Sequence, residues 1–313
     1  MPRVDLAPSG SRIGLGCMPM SFGYIDAASE DDPAAVIDRA LDLGVTMFDT
    51  ADVYGPFTNE ELLGRALEGR RHEATVATKV GLVVGATGGY PLQRDGRPEH
   101  IAEAVRASIR RLGTDVIDLY YLHRVDDRVP LEESWGALAR LVNEGLVRVV
   151  GLSEVGVDEL ERAHAMHPVA AVQSELSLWT RDALDEVVPW CATNGAAFVP
   201  FSPLGRGFLT GSIEAASFDE RDFRATNPRF TDAAIEANQA IVAVVRSVAG
   251  RVGATPAQVA IAWTLAQGPH VMPIPGTKRV HYLQENVAAA NLTLSPDDLA
   301  ELDAMPASSA PRY

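Results

Sequence analysis

What most constrains this chain is an alternation. Short apolar runs are separated, one after another, by stretches with the period of an amphipathic helix. After a first segment containing IGLGC the runs read VTMFDT, ATVATK, VIDLYYLH, VRVVGLS, VAAVQSE, AAFVPFS and HVMPI. Runs such as VRVVG and AAFVP do not alternate apolar with polar residues, as expected of strands buried on both faces of a parallel sheet. About eight such cycles predict an α/β fold, a (β/α)8 barrel, in preference to a doubly wound sheet. No low-complexity linker interrupts the pattern, so residues 1–313 read as a single barrel domain. Its expected elaborations are an N-terminal cap segment, a long loop after the seventh strand at residues 212–231, an additional C-terminal helix and a loose tail over 307–313.

The helical stretches carry end signals. PAAVIDRALDLG has Asp32 as candidate N-cap, Pro33 at the first helical position and Gly44 past the end. From Pro98 to Leu112, the residues Ile101, Val105, Ile109 and Leu112 form one stripe, which Gly113 stops. Thr255, Pro256 and Gln258 form a capping box. Further helices are expected over 60–68, 131–142, 157–166 and 183–192 and from about Val280 onward. The loop at 212–231 is long enough for a lid; the other reading is a disordered surface insertion.

Charge and cysteine usage narrow the partners. A formal net charge of −15 gives a field that repels phosphate backbones and anionic lipid, so neither nucleic acid nor a membrane surface is expected. Cys17 and Cys191 lie far apart with no CxxC spacing, which suits a reducing compartment and predicts neither a disulfide scaffold nor a metal site. No run of about 18 apolar residues occurs and the N-terminus lacks a signal-peptide core, so the expectation is a soluble cytoplasmic protein. Nothing in the sequence fixes the oligomeric state.

In a (β/α)8 barrel the active site lies at the carboxyl ends of the strands. Here those ends are polar: Asp49 with Tyr54 in the following loop, then Lys79, His123, Ser153 with Glu154, and Gln173 with Ser174 and Glu175. A lysine closing an apolar strand needs a partner. An acid, a base and a phenol converging on one cleft are what proton transfer to a carbonyl oxygen requires. Asp52 reads as a loop acid with no catalytic role. There is no sound Rossmann fingerprint, since GLGCMP and GRGFLTG open no βαβ unit with a suitably spaced acid.

FDTADVYG, ATK at 77–79 and YLH at 121–123, followed by GLSEV, FSPLGRGFLTG and IPGTKR with its QEN, resemble the aldo-keto reductase superfamily over residues 13–286. The likeness is to bacterial-type NADPH-dependent aldehyde and ketone reductases, including reductases of pyridoxal and perakine reductase-like enzymes of plant alkaloid aldehydes. The resemblance implies a catalytic tetrad of Asp49, Tyr54, Lys79 and His123 acting on a small-molecule carbonyl substrate. Tyr54 would donate the proton, and the Lys79 ammonium, balanced by Asp49, would favour the phenolate. His123 would orient the carbonyl.

The resemblance also implies NADPH (NADP+) as cofactor. Ser153 and Gln173 would hold the carboxamide, with Phe201 stacked on the nicotinamide. Ser202, Leu204, Gly205 and Gly207 would cradle the pyrophosphate. Gly276, Thr277, Lys278 and Arg279 would meet the 2′-phosphate, and Glu285 and Asn286 the adenine. Glu154 stands where many relatives have asparagine. Substrate choice would come from Met20, Phe22 and Tyr24, the segment 85–97, and the long loop with Phe218, Phe223 and Phe230. Arg221, Arg224 and Arg229 of that loop would approach the cofactor's phosphates. Two other readings remain: a regulatory NADPH-binding subunit like the potassium-channel β subunits, and another barrel enzyme such as a metal-dependent lyase.

Overall fold

The computed structural model describes Leu6 and residues 10–25, 31–85 and 92–312. Seven parallel strands follow one another around the sheet: β1 (Leu15–Gly16), β2 (Met47–Asp49), β3 (Thr75–Val80), β6 (Ile117–Leu122), β7 (Val147–Ser153), β8 (Ala171–Glu175) and β9 (Ala197–Phe201). Residues 270–276 take the eighth position. Met272 and Ile274 donate their N–H groups to Phe198 and Pro200 of β9, while Gly14, beside β1, donates to the carbonyl of Pro273. Isolated parallel bridges join Val271 to Phe198 and Gly276 to Gly16, so the sheet is nearly closed into a (β/α)8 barrel. HVMPI is therefore less regular than the strand expected of it. Pro273 and Pro275 have no N–H to offer toward β1, and the ladder on that side runs in one direction only.

Inward-facing Met47, Ala77, Leu119, Tyr121, Ala171, Val199 and Ile274 fill the barrel together with Leu6. Tyr121 fits because its neighbour on β7 is a glycine: a Cβ on Gly151 would lie 2.6 Å from the tyrosine ring and 2.6 Å from the carbonyl of Ala171. The outward faces of the strands pack against the helices in a larger core that includes Trp135, Trp263 and Phe48.

The helices are α1 (Pro33–Asp42), α2 (Thr58–Ala66), α3 (Pro98–Leu112), α4 (Leu131–Asn143), α5 (Val157–Met166), α6 (Val187–Asn194), α7 (Asp232–Val252), α8 (Pro256–Ala266), α9 (Val280–Ala288) and α10 (Pro296–Asp303). Their caps follow the sequence signals. Asp32 accepts from the N–H of Ala34, Gly113 takes a left-handed φ of 61°, and Thr255 and Gln258 form both bonds of the capping box. The helix α10 matches the expected C-terminal addition. Among the described residues, no single helix is long and apolar enough to cross a membrane.

Several expectations need correction. The helix expected over 60–68 begins at Thr58, after Phe57 turns the chain with a φ of 69°. The stretch 183–192 breaks into a 3-10 turn (Asp182–Leu184) and α6. A helix running through from Ala183 would drive the ring of Pro189 against the carbonyl one turn back; starting at Val187 places this proline in the first turn, where its missing N–H has no intrahelical role. An antiparallel pair of short strands, β4 (Leu82–Val83) and β5 (Gln93–Arg94), anchors the segment 85–97 expected to vary with substrate, of which 86–91 lie outside the described residues. The helix α7 was not anticipated; Thr231 caps it through Ala234, and Ile235, Val242, Val245 and Ala249 bury its inner face.

The loop at 212–231 is not irregular throughout, because Asp222 and Asn227 each cap a 3-10 turn, Phe223–Thr226 and Pro228–Phe230. The tail is docked, not loose. Ser309 donates its N–H to Asn238 Oδ1 at 3.0 Å, and the carbonyls of Ala310 and Arg312 accept from Arg229 and Asn227 at 3.2 and 3.1 Å. Tyr313 lies outside the described residues.

Candidate active site

Strand register brings the tetrad residues together. Ala77 and Lys79 alternate inward on β3, and Asp49 ends the neighbouring β2, paired with Ala77. Lys79 is fully buried, and its ammonium donates to Asp49 Oδ1 at 2.5 Å and to the carbonyl of Thr50 at 2.7 Å. The other carboxylate oxygen of Asp49 accepts from Gln173 Nε2 at 2.7 Å. Burial pushes the Lys79 ammonium below its ordinary pKa, while Asp49 holds it up. Such a buried pair survives because both ions have further hydrogen-bond partners.

Tyr54 sits over this pair. Its ring centroid is 5.1 Å from Lys79 Nζ, its ring meets that of His123 edge-on at 5.9 Å, and Phe22 stacks on it, also at 5.9 Å. The loop that carries it is pinned by Asn59, a fully buried residue that sequence reasoning missed. The side chain of Asn59 accepts from Thr50 Oγ1 at 2.7 Å and donates to the carbonyl of Cys17 at 2.9 Å and to Ser21 Oγ at 2.7 Å. Its only sequence signal is an amide in the first turn of α2 facing a helix–sheet interface.

His123 follows β6 and ties its N–H to the carbonyl of Val80 at 2.7 Å. Its Nδ1 is buried without a hydrogen-bond partner among the described residues. Burial, then Lys79, then Arg124 hold its pKa well below the usual value, so the imidazole is neutral at neutral pH. Asp52 is a deeper residue than a loop acid: it is buried, Oδ1 has no partner among the described residues, and burial followed by Glu60 pushes its carboxyl well above the ordinary range. Asp52 does not line the cavity, and Lys79 acts on its carboxyl only as the weakest of several neighbours.

Asp49, Tyr54 and His123, with Lys79 buried behind them, form one end of a cavity of about 770 Å³ whose lining also includes Ser153, Gln173, Phe201, Ser202, Leu204 and Gly207; Gly205, expected with them, packs against Trp179 and does not line it. Ser153 Oγ accepts from Arg124 Nη1 at 3.0 Å. After β9 the chain turns sharply, with left-handed φ at Ser202 (50°), Gly205 (57°), Arg206 (58°) and Gly207 (96°). Gly205 and Gly207 spend their N–H groups inside this turn, on the carbonyls of Ser202 and Leu204 at 2.9 and 3.1 Å, and a tight turn of this kind can offer its remaining N–H groups to phosphate oxygens.

At the far end lie Gly276, Thr277, Lys278 and Arg279, with Glu285 and Asn286 one to two turns into α9. A Cβ on Gly276 would lie 2.7 Å from the ring of Pro19, so glycine lets this segment close on β1. Lys278 is no solvated surface lysine: it is buried, and Nζ donates to the carbonyl of Tyr24 at 3.1 Å. Glu285 accepts from Thr255 Oγ1 at 2.6 Å. The donor set and the extended cavity fit a phosphorylated dinucleotide.

Of the loop arginines, only Arg224 lines the cavity. Arg221 is folded back on Asp219 at 2.8 Å, and Arg229 points instead to Thr180 Oγ1 at 2.6 Å. Arg224 is likewise held by an acid two residues earlier, Asp222, at 2.8 Å, so a local acid alone does not decide the direction; for Arg229 a hydroxyl on a distant loop does. Glu154 also departs from the position the family pattern gives it. It adopts a φ of 57°, and its carboxylate accepts from the N–H of Glu175 at 2.8 Å and pairs with Arg312, so it is not directed at a carboxamide. Sequence reading did not single out the lining residues Arg124 and Tyr282. Arg124 is signalled by its place next to His123; Tyr282 lies one helical turn beyond Arg279, whose guanidinium is 5.5 Å from its ring centroid.

The aldo/keto reductase family profile matches residues 12–306. The chain belongs to that family. It is 44% identical over 294 residues to "Probable aldo-keto reductase 1" of Glycine max, covering 93% of this chain and 84% of the relative. Among solved structures, this aldo/keto reductase is similar to the glycerol dehydrogenase of Gluconobacter oxydans, with a TM-score of 0.87, 29% identity and coverage of 97% of this chain and 93% of that one. It is also similar to an aldo/keto reductase of Klebsiella pneumoniae in complex with NADP and acetate, with a TM-score of 0.71, 27% identity and coverage of 94% and 90%.

Proposed function

We propose that this oxidoreductase reduces aldehydes or ketones to alcohols with NADPH, using Tyr54 as the acid. The observation that carries the reading is the buried Lys79–Asp49 pair beneath the ring of Tyr54, with a neutral His123 on the other side. The nicotinamide, when bound, supplies hydride to the carbonyl carbon. As the C=O bond opens, negative charge gathers on oxygen, and Tyr54 transfers its phenolic proton there. The Lys79 ammonium stabilises the phenolate that remains, and Asp49 keeps the ammonium charged and in place. A neutral His123 donates a hydrogen bond to the substrate oxygen without competing as a charged acid. Bulk solvent then returns the proton to Tyr54.

Selection of NADPH over NADH rests on Lys278 and Arg279 at the start of α9, and cofactor binding to the relative from Klebsiella supports it. Apolar Phe22, Leu82 and Leu92 near the tetrad suit small or aromatic aldehydes, with pyridoxal among those to test. A cytoplasmic location remains part of the proposal. The test is nicotinamide fluorescence titration followed by NADPH oxidation with a panel of aldehydes. Tight binding without carbonyl-dependent oxidation would favour a regulatory subunit; no binding would overturn the reading.

A further inference from the structure

One buried carboxylate outside the tetrad gathers groups from several segments. Glu175, the last residue of β8, accepts from Thr180 Oγ1 at 3.0 Å and from Arg206 Nη2 at 3.2 Å. Arg312 Nε lies 3.4 Å from the same oxygen as Arg206, and Arg229 Nη1 lies 3.7 Å from the other. The three guanidiniums come from the turn after β9, the loop that follows it, and the C-terminal tail. Glu154 completes the cluster by accepting the N–H of Glu175 and pairing with Arg312.

The same loop reaches the opposite wall of the cavity. Phe223 donates its N–H to the carbonyl of Gly23 at 2.8 Å, and Ile25 donates to Asp222 Oδ2 at 2.9 Å. Next to this crossing, Lys278 holds the carbonyl of Tyr24. Residues 222–224 thus join the wall carrying the turn after β9 to the wall carrying the start of α9. For that crossing to open, the loop must swing, and the tail is bonded to the loop through Asn227 and Arg229.

We propose that Glu154 is a positioning residue which, by holding Arg312 against Glu175, fastens the tail onto the crossing loop and thereby slows release of the nicotinamide cofactor. The proposal rests on the NADPH reading above. An asparagine at 154 carries no charge to hold Arg312, so Glu154 and Arg312 form one device. Removing either partner leaves the other's charge imperfectly paired near the protein surface, and such losses fall on the off-rate.

The experiment is stopped-flow release of NADPH, with single-turnover aldehyde reduction at saturating cofactor as the second readout. It uses the wild type, Arg312→Ala, Glu154→Asn, the double variant and Arg312→Lys. Each single variant is expected to release NADPH about tenfold faster, as a loss near 1.4 kcal/mol implies. The double variant should add less than about threefold to either single, because the two residues share one interaction. Arg312→Lys should recover part of the effect, and single-turnover reduction should change by less than about twofold. Should Glu154→Asn fail to fold, Arg312→Ala carries the test, since that side chain is 23% exposed. Release within twofold of wild type in Arg312→Ala overturns the proposal, and so does an equal fall in single-turnover rate, which marks general loosening. A wild type that does not bind NADPH overturns both this inference and the reading of function beneath it.

Discussion

The two ends of the cavity are held by different means. At the chemical end, Asp49, Lys79, Gln173 and His123 stand on or just past strands whose register sets their spacing, and their contacts are short and buried. At the cofactor end, the lining comes from left-handed turns, 3-10 segments and the start of α9, backed by a tail that ion pairs tie to segments far apart in sequence. A sheet positions groups at low cost because each ladder bond fixes its neighbour. A loop must be tied at several points to do the same, and each tie can be released. On the proposed function, rigidity falls where the bond chemistry would occur and releasable ties where a large cofactor would enter and leave.

The largest effects should break the chemical end alone. Tyr54→Phe keeps the ring that stacks on Phe22 but removes the proton donor. General acid catalysis contributes about 10²- to 10⁴-fold, so kcat for aldehyde reduction should fall at least about 100-fold, with the NADPH dissociation constant within about threefold of wild type. A variant reducing aldehydes near the wild-type rate would remove Tyr54 from the mechanism. Lys79→Met should lower kcat comparably and also destabilise the fold by about 3 kcal/mol or more, because Asp49 is left buried without its ion partner. Urea unfolding of the two variants side by side separates the effects: Tyr54→Phe should unfold near the wild-type midpoint and Lys79→Met well below it.

Next in size comes the cofactor end. Hydrogen bonds to charged groups contribute about 1.5 to 3 kcal/mol, less where water screens them, so the wild type should prefer NADPH over NADH by about 10- to 1,000-fold. Arg279→Ala should cut that preference by about tenfold and leave the single-turnover rate at saturating NADPH nearly unchanged. Equal affinity of the wild type for both cofactors would show that the segment from Gly276 to Arg279 does not meet a 2′-phosphate. Proteolysis probes the same end more cheaply. Cleavage within 212–231 should slow when NADPH is saturating, and an unchanged cleavage rate would remove the loop from cofactor retention.

The sequence was most legible where structure is regular. Lys79, near the end of an apolar strand, calls for a partner from the sequence alone, and the cap signals at Asp32, Gly113 and Thr255 appear at the expected helix ends. Glu154 shows the limit. Its departure from the family residue was visible, but its partner, Arg312, lies half the chain away in a tail that looked loose. Ion pairs between distant loops leave no period in a sequence. Arg221, Arg224 and Arg229 illustrate the same point: Arg221 and Arg224 both fold onto an acid two residues earlier, yet of the three only Arg224 borders the cavity, and Arg229 turns to a distant hydroxyl. Asn59 stayed hidden because a buried amide pinning a loop looks, in sequence, like any residue in a helix's first turn.

The smallest expected effect concerns His123 and tests how dry the chemical end is. The groups facing its ring are Tyr54, Lys79 and Arg124, and burial together with the two cations holds its pKa well below 6.5 in the folded state. The unfolded chain binds a proton at that residue as pH falls below about 6.5, whereas the folded chain does not. Stability is therefore lost on acidification through that window, by up to about 1.4 kcal/mol for each pH unit, and regained as pH rises. Buried Asp52 and Glu175 pull the other way, because burial raises their carboxyls and the folded state binds protons first. The decisive quantity is hence a difference in slope. Urea midpoints measured from pH 7 to pH 5 should fall more steeply for the wild type than for His123→Gln, which cannot titrate, while both share every other ionisable group. Parallel slopes would mean that His123 takes up a proton in the folded state at ordinary pH, and an imidazolium beside Lys79 would have to be built into the mechanism as a charged donor to the substrate oxygen.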